Sequence, residues 1–487
     1  MNNLSRWITV AVVLFLIVGG LLIAAVGSAG ILLKAIVVLI GFMFLVHCST
    51  RLGAAGLFYA YITTLFYADY AKLVFPSLPI GFFPDAVLLV FLLRIFLWEP
   101  KRANAVFLSK EFFVPNVIAG IYLLFNFLQI FNPALPSFLM GLQTFRAVFK
   151  IVILYWGALW VLDSEDKVYS LIKLLAVNSF FVFLFAFKQI FLGFSRYELA
   201  VYNPGVIRRI YSFSTNPAVF SLVLGMGMIY WYLEALFKKR FSTLFILLAF
   251  AIVSAMSFHR APLFASLAAI VLITALNLKQ WGFFVSSNLH KALFWFFTVI
   301  LTVSFIFVAP LPPRYAEMRG EILDRFVRAK KGVQEEGMQV RVKQLAPAIE
   351  AIKKYPLGGG LGYTQLRFGS KLDDFAFFKG IYNASYKVNL PTGTGDNTFL
   401  SVAIETGWVG VIYFIFVLLY GLFSTASKLL IAETSSETRY FLSFSFGLVA
   451  LVSLSIITSS IYFLVMAGAL FWLGLGLAQV SWKMRKV

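Results

Sequence analysis

The chain has 487 residues, of which 61% are hydrophobic and 13% charged, and its mean hydropathy is +0.89. A soluble globular protein has no use for that much apolar surface, so the composition excludes one and requires a polytopic membrane protein. The formal charge of +20 is spread along the chain rather than gathered in one soluble basic domain, which excludes a nucleic-acid-binding module; one cysteine, Cys48, and three histidines exclude a disulfide framework and a zinc constellation.

Apolar runs of spanning length recur in chain order at Trp7–Val26, Gly30–Cys48, Leu52–Ala68, Pro84–Trp98, Phe112–Phe131, Arg146–Leu162, Val168–Phe194, Thr215–Leu236, Phe241–Phe258, Ala261–Leu276 and Ala292–Pro310. A long polar stretch follows, and then Thr398–Phe423, Tyr440–Ile457 and Ser459–Val480. The expected fold is therefore all-α, with about 14 transmembrane helices and one long, partly helical loop. No small-residue cleavage site follows Trp7–Val26, so that run is expected to stay as a span. Pro84–Trp98 is short, and Asn132–Phe145, with its two prolines, reads as a re-entrant or interfacial piece. Three parts result: an N-terminal bundle (1–310), a loop domain (311–396) and C-terminal helices (397–487).

Orientation comes from the short connections. Lys101, Arg102, Lys110, Lys238, Lys239, Arg240, Lys279, Lys291, Lys483, Arg485 and Lys486 share one side, which the positive-inside rule makes cytoplasmic, together with both termini. The long loop then lies outside. Arg146, Arg196, Arg208, Arg209 and Arg260 fall on that outer side, against the rule. A shared anionic ligand would explain them; so would snorkelling or pairing with an acid.

In the loop, Arg341, Leu345, Ala348 and Ile352 recur at helical spacing on one face, so Arg341 sits on an apolar stripe and needs a carboxylate or a substrate phosphate. Pro356-Leu357-Gly358-Gly359-Gly360-Leu361-Gly362 lacks the Gly-Lys-Ser/Thr ending of a nucleotide loop and is expected to be a tight turn packed close to helices. Tyr382 and Tyr386 offer aromatic faces that suit sugar rings or an interfacial belt. The loop closes on Asp396-Asn397, and Glu405 follows just inside the next apolar run, where Lys150 or Lys188 could neutralise it.

Four segments in order, Arg209–Pro217 (RIYSFSTNP), Ser257–Ala261 (SFHRA), Arg341 with Tyr355–Gly362 (YPLGGGLG), and Asp396–Gly410 (DNxxLxxxxExGxxG), resemble the O-antigen ligase and polysaccharide polymerase superfamily of bacterial envelopes. The resemblance implies a metal-independent, cofactor-free glycosyltransferase similar to the C-type group. It would sit in the bacterial inner membrane and work at the periplasmic face. Its donor would be an undecaprenyl-diphosphate-linked glycan, and its acceptor a lipid-linked repeat (polymerase) or the lipid A core (ligase). Transfer to a protein is a third acceptor class. Membrane lipids are the remaining partner, with a chain-length regulator as a further one.

The same resemblance assigns Arg209 and Arg341 to the diphosphate, with Arg208 and Arg260 in the same cluster. Asn397 would bind the sugar or Asp396. The family's basic histidine is replaced by Asp396, which leaves three readings: Asp396 is the base, His259 substitutes for it, or leaving-group stabilisation makes a base dispensable. A flippase of lipid-linked glycans is the competing class; it would need a charged path through the bilayer, and mid-membrane charges are few here.

Overall fold

The computed structural model describes residues 53–68, 70–71, 83–135, 138–192, 210, 212–214, 216–240, 242–257, 259–278, 349, 352–353, 355–361, 398–431, 435–458 and 465–485. Among them every regular element is helical. Helix α1 covers residues 53–68, followed by α2 (Phe83–Leu93), α3 (Pro100–Phe107), α4 (Phe113–Leu128), α5 (Phe138–Val161) and α6 (Glu165–Phe191). Then come α7 (Pro217–Lys238), α8 (Thr243–Ala255), α9 (Arg260–Leu276), α10 (Thr398–Ile431), α11 (Ser436–Thr458) and α12 (Val465–Met484). Among the described residues, 7 helices are long and apolar enough to cross a membrane: α4 to α7 and α10 to α12, with α8 and α9 as shorter apolar companions. The apolar runs expected in these regions each overlap a helix, but α5 begins at Phe138, eight residues before the expected Arg146, and so takes in most of Asn132–Phe145, which the sequence offered as a re-entrant or interfacial piece. Trp7–Val26, Gly30–Cys48, Ala292–Pro310 and most of the loop domain lie outside the described residues.

Local signals account for several boundaries. Asn216 caps α7, its Oδ1 accepting from the Ala218 amide at 2.8 Å, and Pro217 supplies a first turn with no donor to satisfy. Lys239, left-handed at φ 55°, ends the same helix. Pro84–Trp98, the short run, divides into α2 and one π-turn, Arg94–Trp98.

Packing sorts the helices by depth. α7, α11 and α12 bury 94%, 89% and 89% of their spanning windows, whereas α4 and α10 bury 33% each and turn apolar faces outward. α12 packs against α5 and α11, and α7 lies against α6, α8, α9 and α11. The core holds fully buried Trp160, Trp472, Tyr155 and Phe220.

Side-chain contacts fix which helix ends share a side. Tyr440 on α11 donates to Glu234 near the end of α7 (3.0 Å), and Arg439 donates to Asn277 and to the Leu276 carbonyl at the end of α9 (2.8 and 2.9 Å). Lys483 of α12 lies over Phe112, just before α4. Tyr59 of α1 donates to the Lys167 carbonyl in the first turn of α6. These contacts define one end of the bundle, rich in Lys101, Arg102, Lys110, Lys167, Lys238, Arg240 and Lys483; it is called the basic end below. The starts of α5, α7, α9, α10 and α12, and the ends of α4, α6, α8 and α11, therefore lie at the other end.

Near that other end, Asp85 of α2 meets two cations of α5: Lys150 Nζ at 2.7 Å and Arg146 Nη2 at 3.2 Å. The sequence offered Lys150 to Glu405, but Lys150 takes Asp85, a carboxylate whose position in a short helix gave no sign of the pairing. Arg146, out of place by the charge rule, is also accounted for by this acid. Lys188 sits 5.4 Å from the Phe185 ring centroid. Removing the acid leaves two adjacent cations, one of them with a side chain only 10% exposed. Asp85→Asn is expected to cost about 2 kcal/mol, seen as a lower melting temperature in detergent. Lys150→Met on that background should restore part of it. An unchanged melting temperature for Asp85→Asn would show that the cluster contributes nothing.

Candidate functional site

The glycine-rich segment and the start of α10 form one unit. Gly407 interrupts α10 with φ 68° and ψ −170°, a conformation only glycine takes readily. An interrupted helix leaves amides and carbonyls without their i→i−4 partners, and buried ones must be paired elsewhere. Residues 356–360 provide that pairing. Ile404 O accepts from the Gly359 amide at 2.7 Å, Glu405 O from the Gly360 amide at 3.0 Å, and the Trp408 amide, which in an unbroken helix would reach Ile404, donates to Pro356 O at 3.3 Å. The expected tight turn against helices is thus present, with Gly358 and Gly360 at φ 93° and 94°.

Close approach demands glycine on both sides. A Cβ on Gly407 would lie 2.2 Å from Pro356 O, and one on Gly358 would lie 2.3 Å from Glu405 O. The end of α4 holds the strap from behind. Leu361 N–H donates to Gln129 O (3.3 Å), Asn132 Nδ2 donates to Gly358 O (3.0 Å), and Gln129 Nε2 donates to Leu357 O (3.4 Å). Ile352, just upstream of the strap, packs with Ala403 and Ile404 in a small apolar cluster of its own. The apolar stripe expected through Arg341 and Ile352 thus has a partner surface at its Ile352 end.

Beneath the strap lies a cavity between α4, α5, α10 and α12, lined among others by Tyr122, Asn126, Thr144, Glu405, Thr406 and Tyr413. Glu405 is fully buried there. Thr406 Oγ1 donates back to Val402 O at 2.6 Å, a bond that accompanies helix bending. A carboxylate, an amide and hydroxyls thus share a small, mostly apolar cavity with side chains such as Phe125, Ile151 and Phe414. Among the described residues, no group of three or more His, Cys, Asp and Glu gathers to hold a metal ion.

His259 holds the position before the first turn of α9, with φ −103° and ψ 93°. Its amide donates to Ser257 Oγ at 3.1 Å, and its carbonyl accepts from Ser221 of α7 at 3.5 Å. The ring is half-buried. Arg260 begins α9, and its side chain lies outside the described residues. Arg208, Arg209, Arg341, Tyr382, Tyr386, Asp396 and Asn397 also lie outside them. Their described neighbours in the chain are informative nonetheless. Ile210, next after Arg209, is buried, and Ser212 donates through its amide to Gln189 Oε1 (2.9 Å) near the end of α6. Thr398, next after Asn397, starts α10 and is fully buried. Ile210, His259, the strap and Thr398 therefore share the end of the bundle opposite the basic end. Gln129 and Asn132 went unnoticed in the sequence, where an amide pair at a helix end carries no signal of what it will bind.

Among the described residues the fold is that of a multi-pass, all-helical membrane protein. Residues 243–415, from the first residue of α8 into the second half of α10, match the model of the O-antigen ligase family. The matched stretch contains His259, Arg260, the strap and the break at Gly407, and it supports placing the chain in the O-antigen ligase and polymerase superfamily. No curated protein matches the chain.

Proposed function

We propose that the protein polymerises undecaprenyl-diphosphate-linked oligosaccharide repeat units at the periplasmic face of a bacterial inner membrane, with both termini and the basic end cytoplasmic. The observation that carries this reading is the convergence of Ile210, His259, the strap and Thr398 on one end of the bundle, the end that faces away from the cluster of lysines and arginines. The described residues of all four segments of the family resemblance lie at that end. Chemistry on a lipid-linked donor at a single membrane surface needs such one-sidedness, whereas a flippase needs a path between the two ends.

In the proposed reaction, the acceptor hydroxyl oxygen attacks the anomeric carbon of the donor sugar. The bond from that carbon to the phosphate oxygen breaks, and the diphosphate leaves on its lipid with both bonding electrons. Arg209 and Arg341, aided by Arg208 and Arg260, would hold the departing charge bidentately at a low-dielectric boundary. Asp396 would take the hydroxyl proton, and Asn397 would orient the acceptor. Tyr382 and Tyr386 would stack on sugar. No metal or nucleotide enters this scheme, because the phosphodiester already stores the driving force. The ligase alternative differs only in the acceptor, the lipid A core, and the description of the matched family favours keeping it as the second reading.

The test is to incubate the purified protein with a lipid-linked repeat unit. A ladder of lengthening products supports polymerisation. A single transfer that appears only when lipid A core is added supports the ligase. Asp396→Asn is expected to lower the rate at least 100-fold, the lower end of the range for a general base. Retained activity in that variant would remove the carboxylate from the base role and make His259→Ala the next measurement.

A further inference from the structure

Just after Arg208-Arg209, and before α7, the chain passes through a strained turn. Ser212 is left-handed at φ 50°. Among the described residues the other non-glycine with positive φ is Lys239, which ends α7 in the ordinary way. Ser212 ends no helix. It opens a short 3-10 turn, Ser212–Ser214, and is fully buried. A residue with a side chain keeps such a backbone only where its surroundings over-determine it, and strain of this kind clusters at functional sites.

One face of α6 does the holding. Val182, Phe185 and Gln189 recur there at helical spacing. Ser212 Oγ donates to Val182 O at 2.6 Å, and the Ser212 amide donates to Gln189 Oε1 at 2.9 Å. Phe213 stacks on Phe185 with ring centroids 4.0 Å apart. Tyr67 at the end of α1, and Tyr70 just beyond it, meet the same ring edge-on at 5.3 and 5.0 Å. Ile210 is buried on one side of the turn, and Asn216 caps α7 on the other. Gln189 is only 1% exposed. An amide side chain buried in a spanning helix costs desolvation that an apolar residue would not. Here it gives an acceptor to a buried backbone N–H that opens a turn and has no helical partner.

We propose that Gln189 is a positioning residue for glycan transfer: by anchoring the turn at Ser212 it sets where Arg209, three positions upstream, stands at the outer end of the bundle. The inference rests on the reaction proposed above and adds to it a residue outside all four segments of the family resemblance. A guanidinium speeds the departure of a diphosphate only in so far as it is fixed before the charge develops. Burial of Ile210 and the two bonds of Ser212 supply that fixing through the chain, and Gln189 holds one of those bonds.

The test is steady-state transfer from a lipid-linked repeat unit by the full-length protein in mild detergent. Gln189→Leu keeps the bulk of the side chain and removes the acceptor. It is expected to lower kcat about tenfold or more while KM stays within about twofold, the pattern of a misplaced catalytic group rather than of lost substrate binding. A double-mutant cycle with Arg209→Ala separates positioning from general support of the fold. In the Arg209→Ala background, Gln189→Leu should change the residual rate by less than about twofold, because its effect passes through the arginine. A fully additive loss, or a wild-type kcat in Gln189→Leu, would overturn the proposal and leave the reaction standing. A wild type that transfers nothing would remove the reaction itself, and the positioning role with it. Should Gln189→Leu fail to accumulate, Ser212→Ala gives the second measure, since it loses the bond to Val182 O and keeps the amide bond. About a threefold lower kcat is then expected from the loss of one hydrogen bond, again with no further effect once Arg209 is gone, and an unchanged kcat overturns the proposal.

Discussion

Gly407→Ala is expected to destabilise the protein by about 3 kcal/mol or more and to abolish transfer. Two costs add. The backbone at φ 68°, ψ −170° is nearly forbidden to a residue with a side chain, and the new Cβ would press on Pro356 O at 2.2 Å. That oxygen belongs to backbone that is itself pinned by the Trp408 amide, so it cannot swing aside like a flexible side chain. Gly358→Ala meets the same surface from the other side, at 2.3 Å from Glu405 O, and should behave alike. The two losses are expected to be strongly non-additive, because either one alone separates strap from helix. Gly120→Ala is the control: this glycine lies in α4 with nothing within 4 Å of its virtual Cβ, and the change should be neutral or mildly stabilising. The measurement is thermal unfolding in detergent, followed by the transfer assay on the fraction that stays folded. A Gly407→Ala protein as stable as the wild type would show that the strap can move aside and that the interrupted helix tolerates another partner.

Arg209→Ala and Arg341→Ala are each expected to reduce transfer at least 100-fold while the protein remains folded in the membrane. A guanidinium aimed at charge that develops on a leaving diphosphate acts mainly on the transition state, and the loss of one such donor typically costs 100- to 1000-fold in rate. Lysine at either position should recover only part of the rate, since a point charge cannot reproduce the bidentate fork. The melting temperature separates this outcome from misfolding: both variants should unfold within a few degrees of the wild type. Wild-type rates in either variant would remove the clamp, and with it the argument that these arginines explain the unusual charge of their side of the membrane.

The helices were legible because hydropathy alone decides them. A run such as Thr215–Leu236 has no alternative to a buried helix, and the capped start at Asn216-Pro217 sharpened its boundary by two residues. Gly358 and Gly360 were legible as a turn, because three successive glycines after a proline serve few other purposes. What the turn would touch was not. Pro356 and Gly407 are 51 positions apart in the chain, and nothing in either segment announces that one completes the other's hydrogen bonds. Asp85 was missed as a partner of Lys150 for the same reason: spacing gives the face of a helix, but only tertiary packing brings α2 against α5. The arginines and Asp396 were proposed from motif and topology rather than from geometry, and apart from the backbone of Arg260 they lie outside the described residues.

The dependence of α10 on the strap has a consequence for how the protein is made. Residues 356–361 leave the ribosome before Ile404 to Trp408 do, and Gln129 and Asn132 well before either. The fractured helix thus enters the bilayer with its receptor already synthesised, and its bare amides and carbonyls need never face hydrocarbon alone. Circular permutants that deliver α10 ahead of the strap would reverse that schedule, and poor insertion rather than poor catalysis is the defect they should display.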